Sequence, residues 1–124
     1  MRLSAVRVFV EDIDAARAFY ASRLGFGLKV DGSRFGYCVF DAGGADLVIE
    51  QVEADAPEDE RMLVGRFSGV SFAVTDVAAC HRDLQARGVR FSGAPERQAW
   101  GGILATFIDP SGNELQLVEL PAAP

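Results

Sequence analysis

Apolar and polar residues alternate at the start of the chain, and this pattern predicts a strand over residues 3–10. Successive side chains of a strand point to opposite faces. The residues on one face are Val6, Val8 and Val10. The residues on the other face are Ala5, Arg7 and Phe9. We expect the valine face to pack against the helix that follows.

The apolar spacing then lengthens to three or four residues, which predicts an amphipathic helix. Asp12 is placed to act as its N-cap, and Gly25 supplies its C-terminal stop. Its apolar positions are Ile13, Ala16, Tyr20 and Leu24. Short strands are predicted at residues 26–30, 34–40 and 46–52. The first half is therefore expected to form a strand, a helix and three strands.

The same order returns in the second half of the chain. Residues 69–74 alternate as a strand, Asp76 caps a helix, and Gly88 ends it. The apolar helix positions Val77, Cys80 and Leu84 are Ile13, Ala16 and Tyr20 shifted by 64 residues. Strands are predicted at residues 89–91, 103–108 and 114–120, with a longer loop at residues 93–102.

A hairpin signature also occurs twice. Residues 107–119 place Asp-Pro and Gly-Asn between two alternating segments, and residues 41–50 follow the same plan 68 positions earlier. These repeats indicate a tandem duplication and an α+β fold of two βαβββ modules, at about residues 1–53 and 66–120. An acidic connector over about residues 54–65 joins them within a single domain. Because each helix covers one side of its sheet, we expect the other sides to form a concave cleft that carries the function.

Composition limits the classes of function. A chain of 124 residues suits one domain, and its net charge of −6 argues against sequence-independent binding of nucleic acid. The apolar runs are far shorter than a membrane span, and the N-terminus has no signal-peptide apolar region. A cytoplasmic protein without nucleic-acid or membrane partners is expected. Cys38 and Cys80 lie in different halves without metal-type spacing, so reduced structural thiols are favoured.

The order of elements and several short motifs resemble the vicinal oxygen chelate superfamily. This superfamily includes glyoxalase I, extradiol dioxygenases, fosfomycin-resistance enzymes and bleomycin-resistance proteins. The motifs are the Val-x-Asp before each helix, Phe19-Tyr20 followed by Leu24-Gly25-Phe26, Trp100-Gly101-Gly102, and Asp109-Pro110-Ser111-Gly112-Asn113. The resemblance covers nearly the whole chain and specifies the fold more strongly than the reaction.

Metal enzymes of this superfamily place ligands on the first and last strands of each half. The corresponding residues here are Ala5, Val48, Gly69 and Gln116. Only Gln116 offers an oxygen donor, whereas a first-row metal normally needs three or more protein ligands. The resemblance therefore implies a protein with no metal and no other cofactor, closest to the bleomycin-resistance members.

Other potential ligands have simpler interpretations. His81 is expected to be a solvated histidine on the outer side of the second helix, and Cys80 a core residue. Asp46, Glu50 and Glu114 share strand faces with the missing ligands, but surface charge is the favoured interpretation. A displaced site built from oxygen ligands is not indicated.

Strand alternation nominates the residues that bind a ligand in the cleft. They are Arg7, Phe9, Val48, Glu50, Ser71, Trp100, Gln116 and Val118. Trp100 is either a stacking platform for a flat ligand or a plug of its own loop. Arg7 is either an anchor for an anion or the partner of Glu50, and the partner role is favoured because a buried charge needs pairing.

No set of acid, base and nucleophile stands out in the sequence. The leading hypothesis is a metal-free protein of the bleomycin-resistance type that sequesters a flat, cationic compound such as an antibiotic. The alternative is a glyoxalase-like lyase or dioxygenase with a displaced metal site or metal-independent chemistry. A dimer whose cleft serves only protein association is a third possibility. A homodimer is expected because this superfamily commonly completes its clefts by pairing halves within or between chains.

Overall fold

The computed structural model describes residues 1–122. The chain folds into two compact units. Unit 1 comprises Met1–Arg66 together with Pro110–Asn113, and unit 2 comprises Phe67–Asp109 together with the chain from Glu114 onward. Four residues of a turn in the second half therefore belong to the first unit.

Unit 1 contains a mixed sheet of four strands. The strands are β1 (Ala5–Val10), β2 (Gly27–Gly32), β3 (Tyr37–Asp41) and β4 (Asp46–Gln51), in the order β1-β4-β3-β2. Strand β1 runs parallel to β4, and the other neighbours are antiparallel. The helical segments are α1 (Ile13–Ala18), a wider π-helical turn (Phe19–Arg23), a short 3₁₀ helix (Ser33–Phe35) and α2 (Glu58–Arg61).

The core of unit 1 follows the alternation of its strands. Val8 and Val10 are buried, as are Leu47 and Ile49 on the neighbouring strand. The first helix supplies Ile13, Ala16 and Tyr20 to the buried side, and the Asp12 carboxylate caps it by accepting from the backbone N–H groups of Asp14 and Ala15. The predicted cap and three of the four predicted apolar positions are thus confirmed, whereas Leu24 is only half-buried.

Some boundaries in unit 1 differ from the prediction. The predicted strand at residues 34–40 begins only at Tyr37, because Ser33–Phe35 form a 3₁₀ turn that ends at Gly36 with φ of 82°. Strand β2 extends to Gly32, two residues beyond the end of the predicted strand at residues 26–30. The acidic connector contains the short helix α2.

Unit 2 repeats the topology of unit 1 with additions. Its elements are β5 (Phe67–Ala73), α3 (Val77–Ala86), β6 (Arg90–Phe91), β7 (Glu96–Arg97), β8 (Ile103–Ile108) and β9 (Glu114–Glu119). The strand order is β5-β9-β8-β6, and β7 pairs with β8. Strand β7 lies inside the segment that was predicted to be a loop. The core holds Val77 and Leu84 from the helix and Phe107, Leu115 and Leu117 from the sheet.

The turn between β8 and β9 is tied to unit 1 by Asn113. Its side chain is buried, its Oδ1 accepts from Gly65 N at 2.8 Å and from Arg66 N at 3.3 Å, and its Nδ2 donates to Phe9 O at 2.7 Å. The hairpin predicted over residues 107–119 is confirmed by the antiparallel pairing of β8 with β9. Within residues 1–122, no helix has the length and apolar character needed to cross a bilayer.

Candidate functional site

The helix-free face of the unit 2 sheet carries a row of polar side chains. Leu115 and Leu117 of β9 are buried on the helix side, so Gln116 between them points the other way. Ser71 and Thr106 stand beside Gln116 in the register of the two neighbouring strands. The Gln116 Nε2 atom donates to Thr106 Oγ1 at 3.1 Å. This hydrogen bond orients the amide group of Gln116 on the sheet.

The next row on the same face is apolar. Val118 is flanked by Ala73 on β5 and by Leu104 on β8. Val118 and Leu104 are half-buried, and Ala73 is exposed. The helix-free face of unit 2 therefore offers polar hydrogen-bonding groups beside apolar contact area, the combination that small-molecule sites use.

A cavity of about 300 Å³ lies against this face. The segment that contains β7 supplies part of its lining, and strands β8 and β9 supply the remainder. The lining residues are Ser92, Gly93, Ala94, Glu96, Gln98, Leu104, Ala105, Thr106 and Gln116. Among the described residues of this lining, only Glu96 carries a charge at neutral pH.

Backbone hydrogen bonds close the tight turn between β7 and β8. Gln98 N donates to Gly102 O at 2.8 Å, and Gly101 N donates to Gln98 O at 2.9 Å. Gly101 has φ of 98°, a value that favours glycine. The side chain of Gln98 is also fixed, because its Nε2 donates to the backbone oxygen of Glu96 at 3.0 Å.

Trp100 lies at the tip of this turn and outside the cavity lining. Its indole packs against Gly102, where an added Cβ would overlap the six-membered ring. The residue nevertheless remains 53% exposed. One part of the ring thus plugs the loop while another part stays accessible, so the packing is compatible with both roles expected for Trp100.

The helix-free face of the unit 1 sheet is dominated by an ion pair. Arg7 Nε and Nη2 donate to the two carboxylate oxygens of Glu50 at 2.8 and 2.7 Å. The Arg7 guanidinium also lies 5.3 Å from the centre of the Phe9 ring. The predicted partnership of Arg7 with Glu50 is confirmed. The reason given for it was wrong, because the Arg7 side chain is 58% exposed rather than buried.

Apolar and aromatic side chains extend this face of unit 1. Val48 stands opposite Val39, and Glu50 stands opposite Tyr37, in the register of β3 and β4. The Tyr37 ring covers Gly32, which leaves no space for a Cβ there. Tyr37 and Val39 were not among the sequence candidates, although alternation along the predicted strand would have identified them.

The residues at the metal-ligand positions of the superfamily do not fit a metal. Ala5 and Val48 have no metal-ligating atom in their side chains, and Gln116 offers only the neutral oxygen of an amide whose Nε2 donates to Thr106. Gly69 lies in a β-bulge with φ of 75°, between the registered pairs of Phe67 and Ser71. Within residues 1–122, no three His, Cys, Asp or Glu residues are grouped closely enough to bind a metal ion.

The carboxylates considered for a displaced site have other partners. Asp46 accepts from Lys29 Nζ at 2.8 Å, and Glu50 is paired with Arg7. Both cysteines are free thiols. Burial raises the pKa of Cys38 and of Cys80, which disfavours the nucleophilic thiolate.

His81 differs from the prediction of a solvated helix residue. It is half-buried, and its ring lies 4.3 Å from the ring of Phe91, centre to centre. Its Nε2 atom is buried and has no hydrogen-bond partner among residues 1–122. The prediction failed because Phe91 of the short strand β6 covers the helix surface that the periodicity had marked as outer.

A second cavity, of about 510 Å³, occurs in unit 1 and was not anticipated. Its lining residues are Glu11, Val52, Glu53, Ala54, Arg61 and Val64. Its lining comes from the segment that follows β4, from α2 and from the residue after β1. Strand alternation alone could not predict it, because most of this lining lies outside strands.

These features agree with what the comparisons with known proteins show. The sequence profile of the Glyoxalase/Bleomycin resistance protein/Dioxygenase superfamily matches residues 2–117. The chain belongs to this superfamily.

Three known proteins illustrate the similarity. A bleomycin resistance protein from Klebsiella pneumoniae is 30% identical over 115 residues, spanning 87% of this chain and 84% of that protein. A superfamily member from Sphaerobacter thermophilus DSM 20745 has a crystal structure with a TM-score of 0.79 and 28% identity, covering 97% of this chain and 98% of that one. The antibiotic binding protein TnmS3 from Streptomyces sp. CB03234 gives a TM-score of 0.76 at 28% identity, covering 98% and 97% respectively.

Proposed function

We propose that this protein is a metal-free, small-molecule binding protein of the bleomycin-resistance type, which sequesters a flat, cationic compound such as an antibiotic. The observation that carries the proposal is the chemistry and location of the Gln116 side chain. Gln116 is the only residue at the four superfamily ligand positions with a ligating side-chain atom, that atom is a single neutral amide oxygen, and the residue lines a cavity.

The chemistry of the donor set supports binding without a metal. A first-row metal held by a protein normally has three or more ligands that include imidazole, thiolate or carboxylate groups. Ala5, Val48 and Gly69 supply none of these groups. A single neutral amide provides too little binding energy to hold such an ion against water.

The cavity lining supports binding rather than turnover. General acid–base catalysis usually needs two groups with different protonation states near the reacting atoms. The lining of the unit 2 cavity holds one carboxylate, that of Glu96, and otherwise amides, hydroxyls and apolar groups. This set can orient a ligand, but it lacks a second titratable partner.

The volume of the unit 2 cavity and the surface beside it support a ligand that is only partly enclosed. A volume of about 300 Å³ is at the lower end of small-molecule sites. A flat drug-sized compound would therefore fill the cavity with one end and extend along the adjoining surface. The names of two relatives, a bleomycin resistance protein and an antibiotic binding protein, support the choice of antibiotics as the first class to test.

A thermal-shift screen against bleomycin and a panel of flat, cationic antibiotics tests the proposal. A ligand that binds only the folded state raises stability by about 2.7 kcal/mol at a hundredfold excess over its Kd. We expect at least one panel member to raise Tm in a concentration-dependent manner. No shift with any compound would contradict the proposal, and turnover of a glyoxalase or dioxygenase substrate would favour the enzyme alternative.

We also propose that the protein is a homodimer. The basis is the common pairing of modules between chains in this superfamily and the closed symmetry usual for soluble oligomers. Light scattering at micromolar concentration is expected to give twice the 13.3 kDa mass of the chain. A monomer mass across the concentration range would refute the dimer and leave the binding proposal unaffected.

A further inference from the structure

Several polar groups that line the unit 2 cavity keep an acceptor oxygen that no group of residues 1–122 uses. Gln98 shows this most clearly. Its Nε2 donates to Glu96 O at 3.0 Å, and a carbonyl oxygen can only accept, so the orientation of this amide is fixed. Gln98 Oε1 is consequently directed away from that bond. It has no hydrogen-bond partner among residues 1–122.

Gln116 and Ser92 repeat this arrangement on the strand side of the cavity. The Gln116 Nε2 atom is directed at Thr106 Oγ1, which leaves Gln116 Oε1 as an unused acceptor within the described chain. The Ser92 hydroxyl lies 3.4 Å from the backbone oxygen of Thr106 and directs its proton there. In each case a protein acceptor takes one donor of the lining residue, and an acceptor oxygen of that residue remains. The second N–H of each amide also remains.

Glu96 adds a negative charge to these acceptors. Its carboxylate forms no ion pair with any cation in residues 1–122. The adjacent Arg97 does not neutralise it, since its Nη1 is directed at Gly101 O at 3.5 Å. Glu96 and Gln98 lie on the same short segment, two residues apart, and both residues line the cavity.

A cavity that combines free acceptor oxygens with one unpaired carboxylate complements a cation that carries N–H donors, because the carboxylate makes its net charge negative. A protonated primary or secondary amine provides both the charge and two or three donors. A quaternary ammonium provides the charge without donors and is better served by aromatic faces, none of which lines this cavity. The chemistry therefore distinguishes between two kinds of cationic ligand.

We propose that Glu96 and Gln98 are specificity-determining residues that bind a protonated amine of the ligand at the unit 2 cavity. This inference rests on the proposed function, because it assigns one end of the ligand that the protein sequesters. The flat part of the ligand lies outside this subsite. The amine-binding oxygens are the Glu96 carboxylate and Gln98 Oε1, with Gln116 Oε1 facing the same cavity.

The test uses daunorubicin, a flat tetracycle with one protonated amine, and its N-acetyl derivative, which keeps the ring system but loses the charge. Binding is measured by calorimetry for the wild type, for Glu96→Gln and for Glu58→Gln. Glu58 is an exposed glutamate of α2 in unit 1 and serves as the matched control for loss of one charge. Thermal unfolding of each variant verifies that the fold is retained.

We expect the wild type to bind daunorubicin about fivefold more tightly than the N-acetyl compound, the effect of one exposed charge pair. Glu96→Gln should abolish this preference, and Glu58→Gln should keep it. Equal binding of both compounds to the wild type, or a preference that survives Glu96→Gln, would overturn the inference while leaving the binding function intact. Binding of neither compound, when amine-free members of the antibiotic panel do bind, would also overturn it. If no panel compound binds either, the proposed function itself fails.

Discussion

The side chain of Asn113 bonds backbone groups from two other parts of unit 1. It accepts from the backbone of Gly65 and Arg66 and donates to the backbone of Phe9. The side chain is buried, so each of these backbone groups would lose its partner without gaining water if the amide were removed. The asparagine of the sequence turn motif is thus a structural connection between three segments.

Replacing Asn113 by aspartate should destabilise the protein by about 2 to 3 kcal/mol. The substitution keeps the acceptors but places a carboxylate against the Phe9 carbonyl, where Nδ2 now donates. Urea unfolding at neutral pH measures the loss. Asp59→Asn, an exposed change on α2, should leave the midpoint nearly unchanged. An Asn113→Asp midpoint equal to that of the wild type would contradict this role.

Asp31 makes stability depend on pH. The hydroxyl and backbone N–H of Ser33, followed by the charge of Arg17, hold its pKa below the ordinary value of 3.8. A carboxyl with a lowered folded-state pKa contributes stability above its unfolded pKa, and this contribution is lost as pH falls through the folded-state value. Asp31→Asn should therefore be less stable than the wild type at neutral pH. The difference should shrink below pH 3.8, and a constant difference in urea midpoints would be the contrary result.

At the scale of elements, the turn between β7 and β8 presents the only tryptophan of the chain. If Trp100 stacks on the flat part of the ligand, Trp100→Ala should weaken binding by about 1 to 3 kcal/mol. Titration with any compound found by the thermal-shift screen measures this loss, and ligand binding should also change the fluorescence of the wild type. Equal affinities in two equally stable proteins would show that Trp100 only plugs its loop.

Gly102→Ala supplies a second variant for the same question. An alanine Cβ would displace the indole from Gly102, and the φ of Gly102 is not positive, so its backbone can accept alanine. We expect altered tryptophan fluorescence with the remainder of the fold retained. Ligand affinity should fall if the position of the indole matters for binding.

The sequence predicted elements well where a strong periodicity was reinforced by caps. Asp12 and Asp76 both accept from the backbone at the starts of their helices, as expected. Local deviations from regular structure were missed, because they depend on hydrogen bonds that periodicity does not encode. The 3₁₀ turn at Ser33–Phe35 and the bulge at Gly69 are the clearest examples.

The candidate site could be predicted only in part. Alternation separated the two faces of the first and last strand of each half, and it placed Gln116 and Val118 on the helix-free face of unit 2. The same alternation along the predicted strand at residues 103–108 would also have identified Thr106 and Leu104, which pair with Gln116 and Val118. The strand candidates came only from the first and last strands of each half. Glu96 and Gln98 could not be found this way, because β7 is two residues long and has no detectable period.

At the scale of the whole molecule, two units with corresponding strand orders carry different chemistry. The helix-free face of unit 1 holds a paired charge, Arg7 with Glu50, beside aromatic and apolar groups. That of unit 2 holds unpaired acceptors beside a cavity. A net charge of −6 adds a weak general attraction for cations, which salt would screen.

We propose that ligand binding needs no metal. Calorimetry on chelator-treated protein tests this most directly. The best compound from the screen is titrated into protein before and after exhaustive treatment with a chelator, with elemental analysis of both samples. If binding needs no metal, we expect the same Kd in both titrations and no stoichiometric Zn, Ni, Mn or Fe before treatment. A transition metal near one per chain, with binding lost on chelation and restored when the metal is added back, would contradict it.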